Sequence, residues 1–253
     1  MLNFAIQTAR DAGRLLAERV GRINQIRHKS EIELLTEVDL ASERLIIDRI
    51  KTYYPRHSIL AEESGETNVA ESSAWKWIID PLDGTTNFAH GYPCFCVTIA
   101  LEHDRELVIG VTYDPTRNEL FSAEKGQGAS LNFKPIHVST TPKLSESLVV
   151  TGFPYDFKDK KDFSRHLTAF LLGARGVRRD GSAAIDMAYV AGGRFDGFWE
   201  EGLNPWDVAA GVLMIEEAGG RVTGYDGSPL SIYNPPICAS NSLIHDEMLD
   251  VLG

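Results

Sequence analysis

Two acidic residues stand at the end of a segment that otherwise has the character of a buried strand. Residues 75–80 are mostly apolar, and the run Pro81-Leu82-Asp83-Gly84 follows them. Because proline cannot donate to a strand ladder, we expect the strand to end at Asp80, and the glycine allows the backbone to turn. The carboxylates of Asp80 and Asp83 can therefore converge on one point. Thr85 and Thr86 come next, where a helix could begin, with N–H groups suited to an anion.

This pair of carboxylates has two interpretations. Two carboxylates about 4 Å apart repel by roughly 4 kcal/mol near a protein surface, and a cation would turn that cost into binding. Oxygen ligands without a neighbouring His or Cys suit Mg²⁺ better than zinc. Alternatively, Asp83-Gly84 is an ordinary turn and Asp80 caps the next few residues of the chain. The apolar strands predicted on both sides of the motif favour the metal site.

Composition and charge limit the partners of the chain. The 253 residues include 25 Lys and Arg against 36 Asp and Glu, for a formal charge of −11, and 43% are hydrophobic. A core is therefore expected rather than disorder. The acidic charge disfavours nucleic acid and anionic lipid. No apolar stretch reaches the roughly 18–20 residues needed to span a bilayer. The charged N-terminus and the three cysteines predict a cytoplasmic protein with reduced, buried thiols.

The chain alternates between helical and strand-like patterns. Apolar residues at three- and four-residue spacing predict a helix from Leu2 to Val20. The charged segment 27–36 is expected to be an extended or mobile loop. The further predicted elements are helices at 39–54, 163–172, 183–191, 208–218 and 243–252, and strands at 94–102, 107–113, 120–123, 148–151, 195–199 and 237–240.

Two lobes are expected within a single domain of residues 1–253. An antiparallel meander dominates the chain before Pro142, and helices alternate with strands after it. We therefore place lobes at 1–142 and 143–253, with layered sheets that have helices between and outside them.

Three motifs together resemble the inositol monophosphatase family of Mg²⁺-dependent, lithium-sensitive sugar phosphatases. Residues 77–88 are similar to the family's first signature, with Leu82 where Ile is more usual, and residues 206–220 are similar to the second. Residues 60–64 resemble the upstream acidic motif, with Ala61 in place of Gly. The resemblance covers essentially the whole chain and implies an α+β fold, a layered αβαβα sandwich of the sugar-phosphatase type.

The resemblance also implies a set of metal ligands. The first Mg²⁺ would be held by Glu62, Asp80, Asp83 and the backbone carbonyl of Leu82, and the second by Asp80, Asp83 and Asp207. Asp39 resembles a helix-end acid that supports a third, loosely held ion. Both Asp39 and Asp207 also fit the start of a helix, as part of a capping box and as an N-cap respectively, and these alternatives stay open.

Catalytic roles follow from the same resemblance. Phosphate ester hydrolysis requires a positioned water and neutralised charge. In the two-metal scheme one ion activates the nucleophile and the other stabilises the leaving oxygen. The resemblance implies that Glu62 and Thr85, with Asp39 nearby, orient and deprotonate the water. The N–H groups of Gly84 and Thr85 would receive the phosphate, and Asp83 would touch both metal and substrate. Because these acids repel a phosphate dianion, metal must bind before the substrate.

The substrate residues are implied in the second half of the chain. Residues 179–184 resemble the family's substrate loop, so that Gly181, Ser182 and Ala183 would meet polyol hydroxyls. Glu200 lies seven residues before Asp207, where the family has a hydroxyl-binding glutamate. Asp207 would also contact the substrate. The alternatives are an ordinary helix start at Gly181 and Ser182 and a solvated strand end at Glu200.

The expected activity is a Mg²⁺-dependent phosphomonoesterase acting on myo-inositol 1-phosphate or a related polyol phosphate. A mostly basic run, formed by Lys158, Lys160, Lys161, Arg165 and Arg178, is either a solvated face or a site for a second phosphate. The alternatives are therefore a fructose-1,6-bisphosphatase, alone or as a dual activity, or a phosphatase for a nucleotide 3′-phosphate or histidinol phosphate. A non-enzymatic alternative is a regulatory protein that touches RNA or the transcription machinery. The family resemblance also implies a homodimer.

Overall fold

The computed structural model describes residues 1–21, 26–28, 34–67, 73–153, 161–233 and 236–253. The helices in these ranges are α1 (Leu2–Arg19), α2 (Glu37–Tyr53), α3 (Thr85–Ala89), α4 (Lys161–Gly173), α5 (Ala183–Ala191), α6 (Pro205–Glu217) and α7 (His245–Leu252). The strands are β1 (Ile26–His28), β2 (Leu34–Thr36), β3 (Ser58–Ala61), β4 (Gly65–Thr67), β5 (Trp75–Asp83), β6 (Cys96–His103), β7 (Glu106–Asp114), β8 (Glu119–Glu124), β9 (Ala129–Leu131), β10 (Lys134–Ile136), β11 (Leu148–Thr151), β12 (Gly176–Arg178), β13 (Gly197–Glu200), β14 (Arg221–Thr223) and β15 (Ile237–Ser240).

Two large sheets organise these elements. The first has eight strands in the order β10-β9-β8-β7-β6-β5-β3-β4, and only the β3–β5 pair is parallel. Its β6–β8 part is the antiparallel meander predicted from sequence, and β9 and β10 extend it by two short strands that were not predicted. The second has five strands in the order β12-β11-β13-β15-β14, with β11 parallel to both of its neighbours. Strands β1 and β2 pair antiparallel with each other, so that the segment predicted to be extended contains a short ladder.

Helices alternate with the sheets in five layers. Helices α1 and α2 pack on one face of the first sheet, and their core includes Leu16, Ile46 and Trp77. Helices α5 and α6 lie between the two sheets and form a second core around Met187 and Leu213. Helices α4 and α7 cover the outer face of the second sheet. This arrangement confirms the predicted α+β fold as a layered αβαβα sandwich, which buries each sheet on both faces.

The contact between α6 and the first sheet is unusually close. A Cβ placed on Gly110 in β7 would lie 2.7 Å from the carbonyl oxygen of Ala210 in α6 and 3.0 Å from its Cα. Only glycine allows the two backbones to approach so closely. The helix that carries Asp207 is thereby held against the sheet that carries Asp80 and Asp83.

Strand β5 does not end where the sequence predicted. It continues through Pro81 to Asp83, with a register irregularity opposite β6 between Asp80 and Asp83. The proline is accommodated because the ladder is already interrupted there, and such irregularities are the places where strands tolerate proline. The irregularity redirects the chain between the two acidic residues.

The second half begins where the sheets change. Strand β10 ends at Ile136 in the first sheet and β11 starts at Leu148 in the second. The predicted lobe boundary at residue 142 lies between these two strands. Helix α6 from the second half packs closely on strands β5 to β8 of the first half, so the division into two lobes stays a prediction.

Candidate active site

Four acidic residues meet at one end of the first sheet although they come from different elements. Glu62 directly follows β3, and its backbone N–H donates to the carbonyl of Ile79 in β5 at 3.2 Å. Asp80 and Asp83 lie in the last part of β5. Asp207 comes from the first turn of α6, more than 120 residues later. The parallel pairing of β3 with β5 and the docking of α6 bring these carboxylates together.

The proximity of these carboxylates appears in their pKa values. Burial raises the pKa of Asp80 well above its ordinary range, and the charges of Glu62, Asp83 and Asp207 raise it further. Burial raises the pKa of Asp83 to about 6, against hydrogen bonds from Ser182 and Ala184 that lower it. Burial, then Asp83 and Glu62, raise the pKa of Asp207. A cluster of this kind is costly without a compensating proton or cation.

Asp80 and Asp207 each accept a backbone hydrogen bond on one carboxylate oxygen. Oδ1 of Asp80 accepts from the Leu82 N–H at 2.9 Å. Oδ2 of Asp207 accepts from the Asn204 N–H at 2.6 Å, in a capping box in which Asn204 is the N-cap of α6. Asp207 is therefore the third residue of the helix rather than its N-cap, and its capping bond occupies one oxygen only.

The donor chemistry of this cluster fits Mg²⁺. It consists of carboxylate oxygens, which Mg²⁺ prefers and which Zn²⁺ usually shares with nitrogen or sulfur ligands. In the part of the chain that the structure describes, no group of three or more His, Cys, Asp or Glu side chains is already arranged around a single metal-binding point. The charge of Glu62 nevertheless raises the pKa of Asp80, Asp83 and Asp207, so the four carboxylates form one electrostatic cluster.

Thr85 connects the acidic cluster to α2. Its hydroxyl lies 3.1 Å from Oδ1 of Asp39 and 3.0 Å from the carbonyl oxygen of Leu82. Asp39 is fully buried in the first turn of α2. The alternative capping role of Asp39 involves the side chain of Thr36, which lies outside the described residues. The threonine hydroxyl is thus held between a carboxylate and the backbone of the acidic motif at the end of β5.

Gly84 is required by the geometry of the turn that starts α3. Its φ of 92° is in the left-handed region. A Cβ there would lie 2.8 Å from the carbonyl oxygen of Cys94 and 3.2 Å from the Cα of Phe95. The glycine therefore lets the chain reverse directly after Asp83.

The predicted substrate loop lies against Asp83 in this structure. Ser182 is the N-cap of α5, and its hydroxyl donates to Oδ2 of Asp83 at 2.6 Å. The Ala184 N–H donates to the same oxygen at 2.7 Å, and Ala183 contributes a further backbone hydrogen bond to this carboxylate. Gly181 precedes them with a φ of 89°. The substrate roles of Gly181, Ser182 and Ala183 stay predictions.

Glu200 lies at the end of β13, within electrostatic reach of Asp207 and Asp83. Its side chain is buried, and its pKa is raised by burial first and then by the charges of Asp207 and Asp83. The carboxylate packs directly on Gly152, where a Cβ would overlap Oε1. Glu200 is thus not a solvated strand end, and Gly152 leaves the space that its carboxylate occupies.

The structure adds residues that the sequence did not single out. The amide of Asn87 donates to the carbonyls of Cys94 at 2.7 Å and Asp180 at 2.8 Å, and the Glu43 carboxylate accepts from the Glu63 N–H at 2.8 Å. Asp186 in α5 is buried, and neither of its carboxylate oxygens has a hydrogen-bond partner. The contact of Asn87 with Asp180 spans 93 positions and that of Glu43 with Glu63 spans 20, so no local pattern identified these two contacts.

Other predictions fall outside the site. Cys94 and Cys96 are free and buried, as predicted, and Cys238 is free and buried as well. In the basic run, Lys158 and Lys160 and the side chain of Lys161 lie outside the described residues. Among the helices that the structure describes, none has the length and apolar character that crossing a membrane requires.

Comparisons with known proteins match the whole chain to one family. The sequence profile of the inositol monophosphatase family matches residues 1–252. A Synechocystis protein named inositol-1-monophosphatase is 46% identical, with 100% of this chain and 88% of that protein covered. The Pseudomonas aeruginosa protein named Nus factor SuhB is 40% identical, with coverage of 100% and 95%. The crystal structure of the extragenic suppressor protein suhB from Bartonella henselae superposes with a TM-score of 0.95 at 39% identity, covering 99% of this chain and 97% of that one. The chain described here belongs to the inositol monophosphatase family.

Proposed function

We propose that this protein is a Mg²⁺-dependent phosphomonoesterase that hydrolyses myo-inositol 1-phosphate or a related polyol phosphate. The observation that carries this proposal is the meeting of Glu62 with Asp80, Asp83 and Asp207, because the Glu62 charge helps to raise the pKa of each of the three aspartates. A phosphate dianion would be repelled by these four groups alone, so the function needs divalent cations.

Two Mg²⁺ ions are proposed, and Asp39 would support a third. Glu62, Asp80, Asp83 and the Leu82 carbonyl would hold the first, and Asp80, Asp83 and Asp207 the second. When bound, the ions would supply Lewis-acid chemistry, polarising the phosphate and making water a better nucleophile. The same ions explain the proposed lithium sensitivity, because Li⁺ is a small cation that competes for oxygen ligands.

The side chains around the metal motif have proposed roles in handling the nucleophile. The Thr85 hydroxyl donates a hydrogen bond to Asp39 at 3.1 Å or to the Leu82 carbonyl at 3.0 Å. Its oxygen can at the same time accept a hydrogen bond from water. The Glu62 carboxylate would take the proton that the water loses. The N–H groups of Gly84 and Thr85 would receive phosphate oxygens, since α3 begins there.

The polyol part of the substrate is proposed to lie between Glu200 and the start of α5. A buried carboxylate accepts well from vicinal hydroxyls, and Glu200 lies beside both Asp207 and Asp83. The backbone of Gly181 to Ala183 borders the same space and would complete the hydroxyl contacts. Glu200, Ser182 and Ala183 are buried, and this favours a neutral, hydroxyl-rich ligand at this end of the site.

A phosphatase panel tests the proposal. Purified protein is assayed for phosphate release from myo-inositol 1-phosphate, fructose 1,6-bisphosphate, a nucleotide 3′-phosphate and histidinol phosphate, with and without Mg²⁺. The proposal expects Mg²⁺-dependent release that is fastest with the inositol ester. Faster phosphate release from another of these compounds would identify that compound, rather than the inositol ester, as the preferred substrate. No release from any of them would overturn the enzymatic proposal.

A regulatory role is the second candidate, and it is favoured by the names of relatives. The Pseudomonas relative is named a Nus factor, which fits the expectation of a protein that touches RNA or the transcription machinery. The charge of −11 weighs against RNA binding by this chain alone. RNA binding at moderate salt by a protein without phosphatase activity would favour this role over the enzyme.

A further inference from the structure

The carboxylate of Asp83 is held from one side by the second half of the chain. Hydrogen bonds from the Ser182 hydroxyl at 2.6 Å and the Ala184 N–H at 2.7 Å both end on Oδ2. The thiol of Cys96 approaches the same oxygen at 3.9 Å. Bonds from the start of α5, including a further backbone hydrogen bond from Ala183, therefore fix the rotation of the carboxylate.

The loop before α5 is held in place by a separate residue. The amide of Asn87 donates to the carbonyls of Asp180 at 2.8 Å and Gly181 at 3.3 Å, as well as to Cys94 at 2.7 Å. Because Asn87 belongs to α3 and Asp83 to β5, two groups of the first half hold the same end of α5. The hydrogen bonds that orient the Asp83 carboxylate therefore also hold the start of α5 against the first half of the chain.

We propose that Ser182 is a positioning residue, whose hydrogen bond holds the carboxylate of Asp83 in the rotation in which it binds divalent cations. The inference rests on the proposed function, in which Asp83 binds Mg²⁺. Cation binding and the docking of α5 are then linked through one side chain, since each requires Asp83 in the same rotation.

The expected effect of losing the hydroxyl follows from this geometry. Without the Ser182 donor, the carboxylate keeps only backbone and thiol partners and can rotate away from the position that suits a cation. Loss of one charge-assisted hydrogen bond to a ligand corresponds to weaker Mg²⁺ binding by about 10-fold, which is about 1.4 kcal/mol.

Mg²⁺ titration calorimetry on the full chain tests the proposal, with thermal unfolding in the absence of metal as the second measurement. Ser182→Ala is expected to weaken Mg²⁺ binding by about 10-fold, and Ser182→Thr, which keeps the hydroxyl, to restore it. Ser182→Gly provides the test if the alanine variant does not fold, because glycine is well tolerated at an N-cap. Ser122→Ala is the matched control, since it removes a buried serine hydroxyl that lies 3.0 Å from Ser130 in another part of the sheet.

The outcomes separate the two claims. Mg²⁺ binding by Ser182→Ala and Ser182→Gly with wild-type affinity would overturn the positioning role, even if the variants unfold at a lower temperature. An equal loss in Ser182→Thr would also overturn it, because the hydroxyl would then not be the cause. If the wild-type protein itself binds no Mg²⁺, the proposed function fails before any variant is compared.

Discussion

Replacement of Asp83 by asparagine tests whether this carboxylate lowers the stability of the metal-free protein while being required for its activity. Asparagine has nearly the same shape and keeps an oxygen that can accept from Ser182 and Ala184. Burial raises the pKa of Asp83 from 3.8 to about 6, net of the hydrogen bonds that lower it. At about 1.4 kcal/mol for each pKa unit, the charged form costs the metal-free fold about 3 kcal/mol at pH 7. Asp83→Asn should therefore stabilise the metal-free protein by up to this amount.

The gain should depend on pH in a defined direction. Between pH 3.8 and about 6 the folded protein holds a proton on Asp83 that the unfolded chain has lost, so the stability of the metal-free wild type falls as the pH rises through this window. The advantage of Asp83→Asn should accordingly shrink from about 3 kcal/mol at pH 7 to about 1.5 kcal/mol at pH 5. The raised pKa values of Asp80 and Asp207 act in the same direction in both proteins.

Urea denaturation with and without saturating Mg²⁺ measures these effects, together with phosphate release. Mg²⁺ should stabilise the wild type, since binding to the folded state alone shifts the unfolding equilibrium, and should stabilise Asp83→Asn little. The variant should fold and lack turnover. Asp104→Asn is the control, because Asp104 is exposed in the β6–β7 turn and its φ of 50° suits asparagine. A variant that is less stable than the wild type without metal at pH 7, or that keeps its turnover, would refute the reasoning.

Three further results are expected. Glu200→Gln should raise KM for the polyol ester by about 10-fold and change Mg²⁺ affinity far less; the reverse pattern in steady-state kinetics and calorimetry would make Glu200 a metal ligand. Lithium at millimolar concentration should inhibit phosphate release, and an unchanged rate would contradict the proposed cation chemistry. Gly110→Ala should lower the free energy of unfolding by about 1–3 kcal/mol, because its Cβ would meet the backbone of Ala210 at 2.7 Å; an unchanged urea midpoint would show that the helix and sheet can separate freely.

Some elements were predictable because their signals are local. The spacing of apolar residues predicted α1, and the short polar turns predicted the meander from β6 to β8. The short strands β3, β4, β12 and β14 were not predicted. Each has three or four residues, and each is stabilised by its pairing partner rather than by a pattern of its own. The predicted end of β5 was also wrong, because the irregularity opposite β6 accommodates the proline.

The sequence by itself determined the chemistry of the central motif. Asp80, Asp83 and Gly84 lie within five residues, so the acidic pair and the turn after it follow from local backbone geometry. Only the tertiary structure decided which distant groups join them. Asp83 meets Ser182 across 99 positions, and Asp207 reaches the cluster because α6 is buried between the two sheets. The physical reason is that burial of the apolar faces of α5 and α6 fixes where their first turns lie, and no local preference encodes that position.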